Sequence, residues 1–104
     1  EIDSVGWSRE NSQDKTHEVK KKNANELGLY DMSGNVCEWC WDGYTKYARD
    51  GVKDPHGSSF ESCRVLRGGS WHGYDYNGSV SHRGNDYPKN RFSYYGFRVV
   101  CSVK

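Results

Sequence analysis

Four cysteines are the most reactive side chains of this 104-residue chain. Cys37 and Cys40 form a C-x-x-C pair, but no second pair follows at zinc-finger spacing, which argues against a structural zinc site. A thioredoxin-like redox motif is also a poor match, because the two residues between the cysteines are Glu and Trp. Two interpretations stay open: the thiols are free and buried as small apolar groups, or one disulfide forms, such as Cys37 to Cys63. Cys101 completes the set.

Histidines and carboxylates near residue 80 could act as bases or metal ligands. His72 and His82 lie in one polar segment, with Asp75 and Asp86 close in sequence. Four such groups do not make a catalytic site without a nucleophile or a known geometry. We therefore predict that they belong to a surface or a binding face.

The composition of residues 72–95 is unusual. It holds five of the chain's eight tyrosines, much Ser, Gly, Asn and Asp, a single Lys at position 89, and no Glu, Gln, Met or Trp. Tyr, Ser, Gly and Asn dominate adaptable binding surfaces, because Tyr supplies rigid amphipathic area and the small polar residues supply hydrogen bonds. Apolar, strand-like blocks flank the segment, which we call the recognition segment.

The framework that must position this segment is one domain, 1–104, rich in loops. Strands are predicted at 64–66 and 97–101, a strand or turn at 5–7, and a short helical turn near 33–37. Apolar residues make up only 34% of the chain, but aromatics reach 14%. We therefore expect aromatic side chains to form much of the core, in particular Trp39, Trp71 and Phe97.

Bulk charge and hydropathy exclude some functions. The net charge is +1, and the run 20–22 of three lysines is flanked by acidic residues, so we expect a solvated loop and no nucleic-acid partner. No apolar run approaches the roughly 20 residues of a transmembrane helix. No leader peptide is recognisable. Because Glu1 is not an initiator, the chain is expected to be a processed or excised piece, and its localisation cannot be predicted.

Three motifs carry a family resemblance. Residues 25–42, NELGLYDMSGNVCEWCWD, are similar to the signature NELGLYDMSGNVWEW of the formylglycine-generating enzyme, or sulfatase-modifying factor, family. Residues 64–71, RVLRGGSW, and 96–100, GFRVV, resemble its closing motifs. The resemblance implies a C-type-lectin-like fold, α+β and loop-rich, with a small twisted antiparallel sheet.

The resemblance extends only to the C-terminal half of that domain. The N-terminal half, with its RLPTEAEWEYA-like helix, has no counterpart in this sequence. The chain is therefore expected to be a fragment or a reduced form of the fold. A half-domain would expose apolar surface unless a partner chain or the missing half-domain covers it.

The resemblance also implies a structural calcium ion. Family members bind calcium within the signature, which carries over to Asp31, Gly34, Val36 and Glu38. Two carboxylates and two main-chain carbonyls in a glycine-bent loop suit a cation that takes six to eight oxygens. The alternative is that Asp31 caps a turn and Glu38 pairs with an arginine. The family's usual Trp is Cys at position 37.

Catalysis is not expected. The oxidising enzymes of the family hold copper with two cysteines soon after the Gly-Gly-Ser motif, and residues 72–79 contain no cysteine. Without thiolates there is no soft site for copper(I). The alternative is that the chain is a fragment of, or accessory to, a formylglycine-generating oxidoreductase acting on sulfatases.

The recognition segment further resembles the variable proteins of diversity-generating retroelements, since its composition fits codons of the form NNY, apart from Lys89. Its partner would be a protein or cell-surface ligand. Val80, Arg83, Pro88 and Arg91 would be framework. Ordinary members of the family also carry Tyr- and Asn-rich loops here, which leaves a fixed surface as the alternative. The positions expected to be diversified and to point outward are His72, Tyr74, Tyr76, Asn77, His82, Asn85, Asp86, Tyr87, Asn90, Phe92, Ser93, Tyr94 and Tyr95.

Overall fold

A four-stranded sheet organises the chain in a computed structural model that describes residues 2–45, 62–79 and 81–102. The strands are β1 (Cys37–Gly43), β2 (Arg64–Arg67), β3 (Arg83–Asp86) and β4 (Tyr95–Gly96), arranged in the order β3-β2-β1-β4. Two short 3₁₀ helices, Ile2–Ser4 and Asp75–Gly78, are the helical elements of the described part. Loops make up most of the remainder.

The sheet is mixed. β1 pairs antiparallel with β2, and β2 with β3, whereas β1 pairs parallel with β4. The expectation of an antiparallel sheet is therefore wrong for β4, because the chain reaches β4 only after the β2–β3 excursion and enters alongside β1 in the same direction. The α component is not seen either, since no α-helix occurs in the described residues. No helix there has the length and apolar character needed to span a membrane.

The buried apolar core is small. Val65 and Leu66 of β2 are the buried hydrophobic residues of the described part, which confirms the predicted strand at 64–66. Trp39 and Trp71 are half-buried. Phe97 was expected in the core, but it is 74% exposed, because β4 ends at Gly96 and the main chain leaves the sheet there. The strand predicted at 97–101 is accordingly absent.

A polar turn at residues 34–35, the signature turn, occupies a position where an apolar core would be expected. Asn35 is buried, and its side-chain amide binds the main chain of His17: Oδ1 accepts the His17 N–H at 2.9 Å, and Nδ2 donates to the His17 carbonyl at 2.9 Å. A Cβ on Gly34 would overlap the carbonyl oxygen of Trp7. Gly34 and Asn35 both have positive φ, which is why the helical turn predicted near 33–37 does not form.

All four cysteines are unpaired in the structure, which favours the free-thiol interpretation over a Cys37–Cys63 disulfide. Burial is the largest cause of the raised pKa of Cys37 and of Cys40. A thiol whose pKa is raised stays protonated at neutral pH and is a weak nucleophile. Cys101 is exposed.

Candidate functional site

Glycines turn the chain from β2 into the recognition segment. Gly68 and Gly69 have φ of 95° and 70°, and a Cβ on Gly69 would lie 2.9 Å from the main chain of Asn77. The Gly-Gly-Ser motif therefore permits a tight reversal onto the second 3₁₀ helix. The segment then forms β3, turns at residues 87–90, and returns to β4 beside β1.

This path brings the two ends of the recognition segment together as an aromatic stack. The ring of Tyr94 lies between two nearly parallel partners: His72 at a centroid distance of 4.8 Å and Phe92 at 5.2 Å, each at an interplanar angle of 5°. Trp71 contacts Tyr94 edge-on at 6.3 Å. His72 and Phe92 are exposed, whereas Tyr94 is half-buried. The stack therefore has a supported centre and two accessible ends.

An arginine from the N-terminal loop extends this surface. The Arg9 guanidinium lies 4.9 Å from the Tyr74 ring centroid, and its Nη1 donates to the Tyr74 hydroxyl at 2.8 Å. The Arg9 main-chain N–H donates to the carbonyl of Gly73 at 2.8 Å. Sequence reasoning did not find Arg9, because nothing near it in the chain indicates a partner 65 residues away.

Asp86, at the end of β3, holds the loop of the recognition segment. Its Oδ1 accepts from the Tyr87 N–H at 2.8 Å and from Nδ2 of Asn90 at 2.6 Å, and its Oδ2 accepts from the Tyr95 hydroxyl at 2.8 Å. The Tyr95 hydrogen bond is the main cause of the lowered pKa of the Asp86 carboxyl. Burial first, and then the bond to Asp86, raise the pKa of Tyr95.

Tyr95 also ties the edges of the sheet together. β3 and β4 are its two outer strands, yet Tyr95 of β4 reaches Asp86 of β3, so the sheet is curled. The Tyr95 ring contacts Trp39 of β1 edge-on at 5.3 Å. Tyr95 was expected to point outward, but its ring is half-buried and packs against Trp39, because β4 pairs with β1. Its role in ligand binding stays a prediction.

The thirteen predicted surface positions divide by exposure. Six are exposed: His72, Tyr74, Asn85, Tyr87, Phe92 and Ser93. Six are half-buried: Asn77, His82, Asp86, Asn90, Tyr94 and Tyr95. The side chain of Tyr76 lies outside the described part.

The four predicted framework positions also differ among themselves. Arg83 packs as expected of a framework residue, with its guanidinium 5.1 Å from the Tyr44 ring centroid and Nη2 donating to the Thr45 carbonyl. Pro88 and Arg91 are exposed. Val80 lies outside the described residues.

All four expected calcium ligands line one cavity of about 450 Å³. Asp31 is buried; its Oδ2 accepts the Lys20 N–H, and its Oδ1 has no hydrogen-bond partner within the described structure. A buried carboxylate oxygen without a partner is costly unless a cation or donor satisfies it. The residues therefore fit a hard cation on the Asp31 side of the cavity.

Glu38 shares that cavity but already has a cationic partner. Arg98 donates from Nε and Nη2 to the two carboxylate oxygens at 2.7 and 2.8 Å. These bonds are the largest cause of the raised pKa of Arg98. Each carboxylate oxygen has a second lone pair, so Glu38 can hold Arg98 and still offer oxygen to a metal. The arginine partner expected for Glu38 as the alternative to calcium binding is thus observed, and it does not exclude calcium binding by Glu38.

Within the described residues, no three His, Cys, Asp or Glu side chains come together as a metal-binding group. A calcium ion would therefore depend on main-chain oxygens, such as those of Gly34 and Val36, in addition to the two carboxylates. The histidines of the recognition segment are part of its aromatic and polar surface, with His72 in the stack.

Residues 3–103 match the family model described as "Sulfatase-modifying factor enzyme 1-like domain". The solved structure of Treponema denticola variable protein 1 superposes with a TM-score of 0.87 at 45% identity, over 92% of this chain and 35% of that one. The formylglycine-generating enzyme of Streptomyces coelicolor is 38% identical over 82% of this chain and 29% of its own length. The serine/threonine-protein kinase pkn1 of Chlamydia caviae is 42% identical over 78% of this chain and 14% of the kinase. The chain thus spans about a third or less of each.

Proposed function

The chain belongs to the sulfatase-modifying factor family, and we propose that it acts as a non-catalytic domain that binds a protein or cell-surface ligand through its recognition segment. The exposed stack of His72, Tyr94 and Phe92 is the observation that carries the proposal. Both ends of the segment build it, and its two outer rings are accessible to solvent.

The contacts around the stack favour recognition. Binding hot spots are enriched in aromatic residues and arginine placed on a well-packed support. Trp71 supports Tyr94 from one side, and the Arg9–Tyr74 pair adds a cation and a phenol near the start of the segment. Rigid aromatic anchors lose little conformational entropy when a ligand binds. This preorganised aromatic surface therefore supports ligand binding more than it supports catalysis.

The likeness to a variable protein supports a more specific proposal, that the segment is diversified in the manner of a diversity-generating retroelement. Exposed positions such as Tyr74, Tyr87 and Phe92 can vary without loss of the fold, since their rings are partly in solvent. Asp86 and Tyr95 would instead be held constant, because the hydrogen bond between them secures the loop. The proposal therefore divides the segment into a contact set, which includes Tyr74, Tyr87 and Phe92, and a support set, which includes Asp86 and Tyr95.

Calcium has a structural role in this proposal. Asp31, Gly34, Val36 and Glu38 would hold the ion, which would satisfy the unpaired Asp31 oxygen and cross-link the signature turn to β1. The ion would supply rigidity to the framework under the recognition segment.

Deep sequencing of the gene in a growing population of its host tests diversification. Substitutions clustered at adenines in codons 72–95, sparing codons 86 and 95, are the expected result. A region as uniform as the rest of the gene would contradict diversification but leave a fixed binding surface.

Binding itself is tested with a displayed library of small protein domains selected against the whole chain. Selected binders should lose affinity for the Phe92→Ser variant and keep it for Phe97→Ser, which removes an even more accessible ring outside the recognition segment. Binders that ignore Phe92→Ser and Tyr74→Ser would contradict the proposal. Copper-dependent oxygen consumption with a thiol-containing peptide would instead support the oxidoreductase alternative.

A further inference from the structure

Arg9 belongs to a turn that is fixed against the start of the recognition segment. Main-chain hydrogen bonds close this turn, residues 8–12. The hydroxyl of Ser12, which is buried, donates to the Trp71 carbonyl at 3.0 Å. The Arg9 N–H donates to the Gly73 carbonyl at 2.8 Å. These two carbonyls flank the histidine of the aromatic stack, so the backbone of the turn holds Arg9 beside that end of the stack.

The Arg9 guanidinium has an unpaired edge. Its Nη1 donates to the Tyr74 hydroxyl, but Nε and Nη2 have no hydrogen-bond partner and no ion pair among the described residues. Glu10, next in sequence, directs its carboxylate to a serine of the same turn instead. Arg98 shows what such an edge can hold, because its Nε and Nη2 donate to the two oxygens of Glu38 at 2.7 and 2.8 Å. The exposed edge of Arg9 therefore has the geometry to receive a carboxylate from another molecule.

Positive charge also lies at the other end of the stack. Arg91 directly precedes Phe92, and Lys89 lies in the turn before it; both cations are exposed. Neither forms an ion pair with a carboxylate of the described part. Asp86 is the acidic residue of the segment whose side chain the structure describes, and three donors of its own loop engage its two oxygens. Among the described side chains, the rim of the aromatic surface is therefore cationic.

We propose that Arg9 makes the recognition surface selective for an acidic segment of a partner protein, an inference that rests on the proposed function. A carboxylate of the partner pairs with Nε and Nη2 of Arg9, and an apolar side chain beside it packs on an outer face of the stack. Complementary charge supplies specificity and speeds association. Because Arg9 lies outside the recognition segment, it offers the same cation whatever side chains the segment carries.

The neighbouring aromatic rings favour a protein over an anionic polysaccharide as the partner. Arginine beside exposed aromatic rings is the composition of a protein-binding hot spot. The outer ring of Phe92 is apolar and 49% exposed, and it needs an apolar group to cover it. An acidic protein segment supplies the carboxylate and the apolar side chain together.

The test uses binders selected from displayed small protein domains against the whole chain. Asp and Glu should be enriched in the selected binders relative to the unselected library. Arg9→Gln should raise the dissociation constant by about tenfold or more. Arg9→Lys should recover only part of the affinity, since an ammonium group cannot form the two-point contact. The matched control Lys21→Gln removes an exposed positive charge that is paired with Glu18 outside the recognition segment, and it should leave the dissociation constant unchanged.

A double-mutant cycle separates direct contact from an indirect effect of Arg9→Gln on Tyr74. Each acidic residue of a binder is replaced by its amide, and the dissociation constant is measured with the native chain and with Arg9→Gln. For one acidic residue, the loss should be large with the native chain and nearly absent with the variant, because coupling of this size requires contact. Additive losses at every acidic residue would overturn the pairing.

The possible outcomes distinguish this inference from the proposed function. Binders that lose affinity for Phe92→Ser but keep it for Arg9→Gln would overturn the acidic preference and leave the recognition segment as the binding surface. Binders that ignore both changes would overturn both proposals. A selection without acidic binders, from a chain that binds a sulfated polysaccharide only when Arg9 is present, would overturn the choice of a protein partner.

Discussion

The signature turn and the recognition segment are both rich in polar residues, but they use them in opposite ways. In the turn, Asn35 is buried, and both polar atoms of its side-chain amide form hydrogen bonds with the main chain of His17. In the recognition segment, Asn85 and Ser93 face solvent. The difference shows that polar composition alone does not distinguish residues that support the fold from residues available to contact a ligand. A polar side chain supports the fold when it pairs with main-chain groups that would otherwise be buried without a partner.

The comparison also has an exception within it. Asp86, Asn90 and Tyr95 belong to the recognition segment by sequence but behave like the turn. The Asp86 carboxylate accepts the main-chain N–H of Tyr87, and Asn90 and Tyr95 also donate to it.

Removal of the Asn35 amide should have the largest effect on stability. Asn35→Ala leaves the N–H and C=O of His17 without partners, and each buried unpaired group costs about 1–3 kcal/mol. We expect the free energy of unfolding in urea to fall by about 2–5 kcal/mol. Asn85→Ala, at an exposed site, is the matched control and should change it by less than about 0.5 kcal/mol. Equal effects would erase the distinction between the regions.

Calcium should stabilise the turn. An ion that binds only the folded state at a hundred times its dissociation constant adds about 2.7 kcal/mol, because it satisfies the unpaired oxygen of Asp31. The melting temperature should rise on addition of calcium and fall with a chelator. Asp31→Asn should abolish the response, while Asp14→Asn, on an exposed loop, should retain it. A calcium response unchanged in Asp31→Asn would place the ion elsewhere.

Tyr95 should act as support and Tyr94 as contact, although they are neighbours in sequence. Tyr95→Phe removes the hydroxyl that donates to Asp86, and we expect a loss of about 1 kcal/mol in thermal or urea unfolding. For Tyr94→Phe no such loss is expected, because the stack with His72 and Phe92 requires only the ring. A greater loss for Tyr94→Phe would reverse the assignment.

Much of the framework could be predicted from sequence, because its motifs are local. The strand at Arg64–Arg67 follows from its apolar residues Val65 and Leu66 and from the glycines that come after it. The family was confirmed by the match over residues 3–103. The separation of Tyr94 from Tyr95 could not be predicted, since it depends on the curl of the sheet that brings Asp86 within reach.

Two features that sequence reasoning missed depend on tertiary contacts. Residues 97–101 have the composition of a strand, but a strand requires a neighbour, and the described residues provide none beyond Gly96. Arg9 and Tyr74 meet across 65 positions. The local sequence pattern indicates which secondary structure a segment can form, and the tertiary fold determines which contacts the segment makes.

Acid should weaken the support within the recognition segment. The pKa of Asp86 is lowered in the folded protein, chiefly by the Tyr95 hydrogen bond. Its contribution to stability is therefore fully present above the ordinary aspartate pKa of about 3.9 and lost as the pH falls through the lowered value. Melting temperatures measured from neutral pH into this acid range should fall more steeply for the native chain than for Asp86→Asn. Parallel curves would show that the carboxylate contributes nothing.

The smallest effect on stability, and the largest on binding, should come from the outer ring of the stack. Phe92 is 49% exposed and contacts Tyr94 and Tyr95 from outside, so Phe92→Ser should change the free energy of unfolding by no more than about 1 kcal/mol. The same change should weaken a selected binder by about 2 kcal/mol, as at an aromatic hot spot. Calorimetry of the binder with Phe92→Ser and Phe97→Ser checks this ratio. A variant that unfolds as readily as Asn35→Ala would place Phe92 in the support set, leaving Tyr74, Tyr87 and Tyr94 as the aromatic contacts.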